Sequence, residues 1–313
     1  MKQILKIAAL SILLVFAVIA PAIAAPNRSR PAIAPLGLDV SYPQCKKSLP
    51  STQAFGVVGV NGGKASNSNP CLSKQLQWAS KSLGSKTQTK VQLYVNTASP
   101  GDYIDLVASW PADNEYHGQT TTIPAQYGTC LPNPATGKGE NSAACAWQYG
   151  WERAFDDVNT FFALEVKKAI TAGASLAADP GAYAWWLDVE TMNSWQTDVA
   201  TDTQAYQKNA AALEGMVAYF TQAGVTQIGL YSTNYQWNSI VGNTITPQSP
   251  LFGLDTWYAL DQTTVDVARR ACSDPQLARP LTDTGIITMT QFISNNLDHN
   301  VSCADIVPPT PSV

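Results

Sequence analysis

An α/β fold built on a parallel sheet is predicted by two observations, short apolar strands alternating with amphipathic helices and several strands apolar on both faces. Seven segments, Leu36 to Tyr42, Phe55 to Asn61, Lys90 to Asn96, Ala182 to Glu190, Gln227 to Thr233, Leu254 to Leu260 and Ile286 to Ile293, are rich in β-branched or aromatic residues and bounded by Gly, Pro, Asn or Ser. GLDVSY, FGVVGV and AWWLDV within them are nearly continuously apolar, as strands covered on both faces are. Helical periodicity lies between them. From Thr203 to Ala223, Tyr206, Ala210, Leu213, Val217 and Phe220 recur every three or four residues, with Thr203 placed to cap and Gly224 to terminate. Tyr149 to Ala172 carries Phe155, Val158, Phe162, Val166 and Ile170 on one face before Gly173, and Cys71 to Leu83 carries Leu72, Leu76 and Ala79 before Gly84. Such alternation means βαβ units.

The 313 residues fit two ordinary domains or one large α/β barrel. The stretch Ser99 to Ala146 has little periodicity, but Cys130 and Cys145 make it a stapled excursion from one domain, not a linker. At the amino terminus Lys2 and Lys6 precede an uncharged apolar run, Ile7 to Ile19, and the small residues Ala22-Ile23-Ala24-Ala25. That pattern predicts a secretory signal peptide over residues 1–25, and the run is too short for a membrane span. The remaining divisions are an extended Pro-rich leader over 26–35, the barrel domain over 36–306 and a Pro-rich tail over 307–313.

Composition narrows the function. With 19 Lys and Arg against 23 Asp and Glu, and no basic cluster to track phosphates, nucleic acid is not an expected partner. No G-x-S-x-G elbow and no phosphate-binding loop occur. The six cysteines, Cys45, Cys71, Cys130, Cys145, Cys272 and Cys303, all follow the signal, and their even number in an exported chain favours disulfides. Proximity along the chain suggests Cys45 with Cys71, Cys130 with Cys145 and Cys272 with Cys303. No C-x-x-C occurs, and His117 and His299 lack ligand spacing, so neither a metal nor a cofactor is expected.

Trp185-Trp186-Leu187-Asp188-Val189-Glu190 is the most informative segment. Residues two apart on a strand share a face, so Asp188 and Glu190 project together, and their repulsion and partial burial should raise the pKa of one. A proton donor beside an ionised carboxylate is what glycosidic cleavage requires. D-x-E alone also fits a strand end that makes helix caps or salt bridges. Context adds Asp39, which ends the first strand and in a parallel barrel opens onto the same rim, and Asp298 in LDHN, where a closing strand would return beside the first. The aromatics at proposed strand ends, Tyr42, Tyr94, Trp195, Tyr231, Trp237 and Trp257, suit the flat faces of sugars, although any one of them also fits core packing.

GLDVS, WWLDVE, GLYST followed by Trp237, and TQF with LDHN resemble, in that order, the motifs of the glycoside hydrolase family 25 lysozymes. The resemblance implies a modified TIM-type (β/α) barrel, and hydrolysis of the β-1,4 bond between N-acetylmuramic acid and N-acetylglucosamine in peptidoglycan. By position it implies Glu190 as general acid, Asp188 as the carboxylate orienting the N-acetyl group or a water, and Asp39 and Asp298 as supporting acids. Departures occur at Val60-Asn61-Gly62-Gly63-Lys64, where the family carries Lys-Ala-Thr-Glu-Gly, and at Tyr94-Val95-Asn96, where it carries Tyr-His-Phe. The expectation is a secreted or wall-associated, monomeric, lysozyme-like glycosidase; the alternative is a catalytically silent carbohydrate-binding barrel.

Overall fold

The computed structural model describes residues 36–107, 109–197 and 204–305. The expected signal peptide, leader and tail, and the expected cap Thr203, lie outside the described residues. In chain order the strands are β1 (Gly37–Val40), β2 (Gly56–Gly59), β3 (Val91–Asn96), the short pair β4 (Glu115–Tyr116) and β5 (Gln119–Thr120), β6 (Ala184–Asp188), β7 (Gln227–Ser232), β8 (Asp255–Gln262), β9 (Ile287–Ser294) and β10 (Leu297–Ser302). The helices are α1 (Leu72–Ser80), α2 (Ala143–Asp156), α3 (Ala163–Thr171), α4 (Ala205–Gln222), α5 (Asn234–Val241) and α6 (Val265–Ala271).

Eight strands close a barrel in the order β1-β10-β9-β8-β7-β6-β3-β2, and β4-β5 stand apart as a hairpin. This is the expected modified TIM-type (β/α) barrel, parallel except at its closing strand. β10 runs antiparallel to both β9 and β1. Only Asn295 and Asn296 join β9 to β10, at φ 53° and 58°. Two residues can make a tight hairpin with left-handed backbone but cannot make the crossover that parallel strands need. The returning strand places Asp298 opposite Asp39.

Alternation along β6 separates two environments. Trp185 points outward, its ring 5.5 Å from Phe162 and 4.8 Å from Phe220, whereas Trp186 points into the barrel, 5.9 Å from Trp257. Phe55, Val57, Trp186, Tyr231, Trp257 and Met289 fill the barrel interior. By the same two-residue period Asp188 follows Trp186 to the inner face. The barrel is therefore a packed core whose upper end is acidic.

The helix expected over Tyr149 to Ala172 is longer and interrupted. It starts at Ala143, where the Ser142 hydroxyl accepts a hydrogen bond from the Cys145 amide at 3.2 Å, and it passes through a π-helical stretch, Asp157–Phe162, before α3. The irregular excursion thus ends earlier than its composition suggested, because a cap outweighs the Gly- and Asn-rich approach. α2 and α4 cross at a pair of glycines. A Cβ on Gly150 would lie 1.8 Å from the Ala212 carbonyl oxygen, and one on Gly215 would lie 1.9 Å from that of Trp147.

Three disulfides, Cys45–Cys71, Cys130–Cys145 and Cys272–Cys303, tie the loop after β1 to α1, the excursion to the first turn of α2, and the end of α6 to the end of β10. Among the described residues no helix is long and apolar enough to cross a membrane.

Glu152 on α2 gives a pH-dependent stability. Burial pushes its pKa up to about 7, against a hydrogen bond from Gln148 and the charge of Arg153 that favour ionisation. Folding therefore favours its protonated form, so the stability it contributes is full below its unfolded value of 4.5 and is lost as pH rises through about 7. On the order of 3 kcal/mol is at stake for a shift of this size. Buried Asp157 is raised for the same leading reason. Denaturant unfolding should show a less stable protein at about pH 8 than at about pH 5, with a shallower slope in Glu152→Gln. Greater stability at the alkaline end would contradict this assignment.

Candidate active site

The upper end of β6 is held from several sides. The Thr97 amide and hydroxyl donate to the Asp188 carbonyl at 3.2 and 2.6 Å, the Val189 amide donates to Tyr231 O at 2.9 Å, and the Ser232 hydroxyl donates to Val189 O at 2.6 Å. The Trp195 indole then donates to Glu190 O at 2.8 Å. Gln236 on α5 accepts from the Thr191 amide at 2.7 Å and hydrogen-bonds the Glu190 carboxylate. Both carboxylates of the D-x-E segment are thus carried on a backbone with little freedom.

Asp39, Asp188, Glu190 and Asp298 line one cavity of ≈ 160 Å³, together with Tyr42, Tyr94 and Asn96. Asp39 and Asp188 are buried and form its floor, while Glu190 and Asp298 are half-buried at its mouth. Asn300 donates to Asp39 Oδ2 at 2.7 Å and accepts from the Trp257 indole at 2.8 Å, so the barrel core orients this acid. Asp188 Oδ1 is buried with no hydrogen-bond partner.

Electrostatics follow from that crowding. Burial raises Asp39 and Asp188 well above the usual carboxylate range, and the charge of Asp298 adds to the first, those of Glu190 and Asp39 to the second. Glu190 is raised by burial and by Asp298 against its bond to Gln236. Asp298 is raised by burial while His299 and Lys47 oppose the shift. The cluster therefore retains protons at a pH where isolated carboxylates have lost them. Among the described residues no group of three or more His, Cys, Asp or Glu is placed to hold a metal ion.

The six aromatics divide. Tyr42, 48% exposed, and Tyr94 line the cavity. Tyr231 lies buried close to the four acids, each of which pushes its phenol pKa up after burial itself, and its hydroxyl bonds Gln291 at 3.2 Å. Trp257, 1% exposed, is a plug in the barrel interior, and Trp237 is core packing on α5. Trp195 is buried too and supports Glu190 through its indole. These three tryptophans are corrected from sugar platforms to structural parts, because Trp257 points from β8 into the barrel interior while Trp237 packs from α5 and Trp195 from the loop after β6.

Asn96, Asn61, Gln236 and Asn300 belong to the site without having been singled out for it. Asn61 Oδ1 accepts from both the amide and the side chain of Asn96 at 2.8 Å, and Asn61 Nδ2 donates to Asn96 O at 3.1 Å and Asp157 Oδ1 at 3.5 Å. Asn300 was findable, since it lies two residues beyond Asp298 on the same face of a strand. Gln236 had no local signal, because its role depends on where α5 docks.

No protein-family model matches the chain, and no curated protein matches it in sequence. Among solved structures it is similar to a muramidase from Trichobolus zukalii, at 13% identity over 86% of this chain and 93% of that one, with a TM-score of 0.42. The functional reading rests on the residues of the pocket.

Proposed function

We propose that this chain is an exported, monomeric glycoside hydrolase that cleaves β-1,4 bonds in peptidoglycan. The observation that carries the reading is the convergence of four carboxylates on one cavity, two half-exposed at its mouth and two buried beneath. Glu190, whose pKa burial and Asp298 raise against its bond to Gln236, is the general acid that gives its proton to the leaving glycosidic oxygen. Asp188, with an oxygen that lacks a protein partner, accepts a hydrogen bond from the substrate's N-acetyl N–H or from a water at the reacting carbon. Asp298 at the mouth supplies negative charge that raises Glu190 and stabilises the positive charge developing on the sugar, and Asp39 adds to the rise of Asp188. Tyr42 offers an accessible ring face beside the acids.

The test is incubation of the oxidised mature chain with purified peptidoglycan and measurement of new reducing ends. Release is the expected result. Glycan binding without release, from peptidoglycan and from a panel of other β-glycans, would replace the hydrolase with a carbohydrate-binding barrel.

A further inference from the structure

The barrel treats the two acids of the pocket floor differently. Asp39 accepts a hydrogen bond from the Asn300 amide at 2.7 Å, and the Gln291 side chain hydrogen-bonds the same carboxylate. Asp188, which shares the floor, has an oxygen with no partner. Both amides come from the closing hairpin, where Gln291 of β9 and Asn300 of β10 stand directly opposite each other. Both are buried, and so are the two aromatic side chains behind them, Trp257 and Tyr231.

Those two aromatics differ in what they permit. The Trp257 indole nitrogen lies 2.8 Å from Asn300 Oδ1, and the Tyr231 hydroxyl lies 3.2 Å from Gln291 Oε1. An indole N–H donates and never accepts, so the Asn300 atom that faces it is the oxygen, and the amide nitrogen is left for Asp39. A phenol does either, so Gln291 can turn over and keep a bond to Tyr231. Trp257 has little room to turn, with the rings of Tyr231, Trp186 and Tyr94 at 4.4, 5.9 and 6.2 Å. A nitrogen held toward Asp39 favours its carboxylate over its carboxylic acid.

The titratable groups around Asp39 are Asp298 opposite it on β10, Asp188 and Glu190 at the end of β6, and the phenols of Tyr94 and Tyr231, while His299 and Lys47 act on Asp298. Burial and the charge of Asp298 oppose ionisation of Asp39, and what favours it is the two amides and its own backbone.

We propose that Trp257 is a positioning residue, whose N–H fixes the Asn300 amide and so keeps Asp39 the first acid of the buried pair to ionise. The charge on Asp39 in turn raises Asp188, whose free oxygen faces the substrate. The consequence for catalysis rests on the glycosidase reading of the pocket, but the consequence for Asp39 does not.

The test follows both acids without substrate, through the carboxyl carbon NMR shifts of the full mature chain labelled at aspartate and assigned with Asp39→Asn and Asp188→Asn. Asp39 should titrate below Asp188 in the parent. Trp257→Phe keeps an aromatic plug but frees Asn300 to turn, and should move the Asp39 midpoint up by about one pH unit, on the order of one buried hydrogen bond. Tyr231→Phe, which removes a two-way partner, should leave it within about 0.3 pH unit. Asp188 ionising first in the parent, or an unmoved Asp39 in Trp257→Phe, would overturn the proposal. Equal movement in Tyr231→Phe would do so too, because lost packing and not a lost one-way donor would then be the cause. The order in the parent decides the matter should Trp257→Phe fail to fold. Release of reducing ends is measured separately. The expected titrations without release would keep the positioning role and remove the glycosidase, and release with contrary titrations would do the reverse.

Discussion

Glu190→Gln should lower the release of reducing ends from peptidoglycan by about 10²- to 10⁴-fold, the usual worth of a general acid. The substitution keeps the shape and the hydrogen-bonding reach toward Gln236 but removes the transferable proton. Stability should not fall, because burial and Asp298 already disfavour the charged carboxylate that is removed. A thermal midpoint within about 4 °C of the parent, or above it, is therefore expected alongside the lost rate. The parent's rate should also decline as pH rises through the elevated pKa of Glu190, since only the protonated acid can donate. A variant that kept its rate within about threefold would remove Glu190 from the chemistry, against the large loss general-acid catalysis requires.

Gly150→Ala should destabilise the fold by about 3 kcal/mol or more, at the upper end of what overpacking costs. Two effects of opposite sign compete. Replacing a mid-helix glycine with alanine ordinarily stabilises by about 0.5 to 1 kcal/mol. Here the new methyl would meet the Ala212 carbonyl oxygen at 1.8 Å, a backbone atom that no rotamer change can move aside. Gly215 meets Trp147 in the reciprocal way at 1.9 Å, so α2 and α4 would have to part along their shared face. The clash exceeds the propensity gain. Denaturant midpoints for Gly150→Ala and Gly215→Ala should both fall, and a stabilising shift in either would show that the helices are free to separate.

Local pattern carried much of the architecture. Seven of the eight barrel strands follow from β-branched and aromatic runs, since a strand buried on both faces must be apolar over its whole length. The helix ends at Gly173 and Gly224 follow from the left-handed conformation that glycine adopts there, at φ 91° and 85°. The two-residue period of a strand put Asp188 and Glu190 on one face without any knowledge of neighbours. What short-range pattern could not carry was partnership across the barrel. β10 became antiparallel because a two-residue turn fixed its direction. Trp257 became a plug because its strand register turned it inward, where an indole N–H finds Asn300. Trp195 and Gln236 became supports for Glu190 because a loop and α5 fold back over the end of β6. The rise in the pKa of Asp39 and Asp188 likewise required the barrel to close, since burial and the nearness of other acids are properties of the assembled rim. Residue identity and period act over one strand or one helix, and so they named the acids; burial, register and the docking of distant segments are set only when the chain packs, and so tertiary structure alone decided which of those acids lie beneath, which face the cavity mouth, and which aromatics stand beside them.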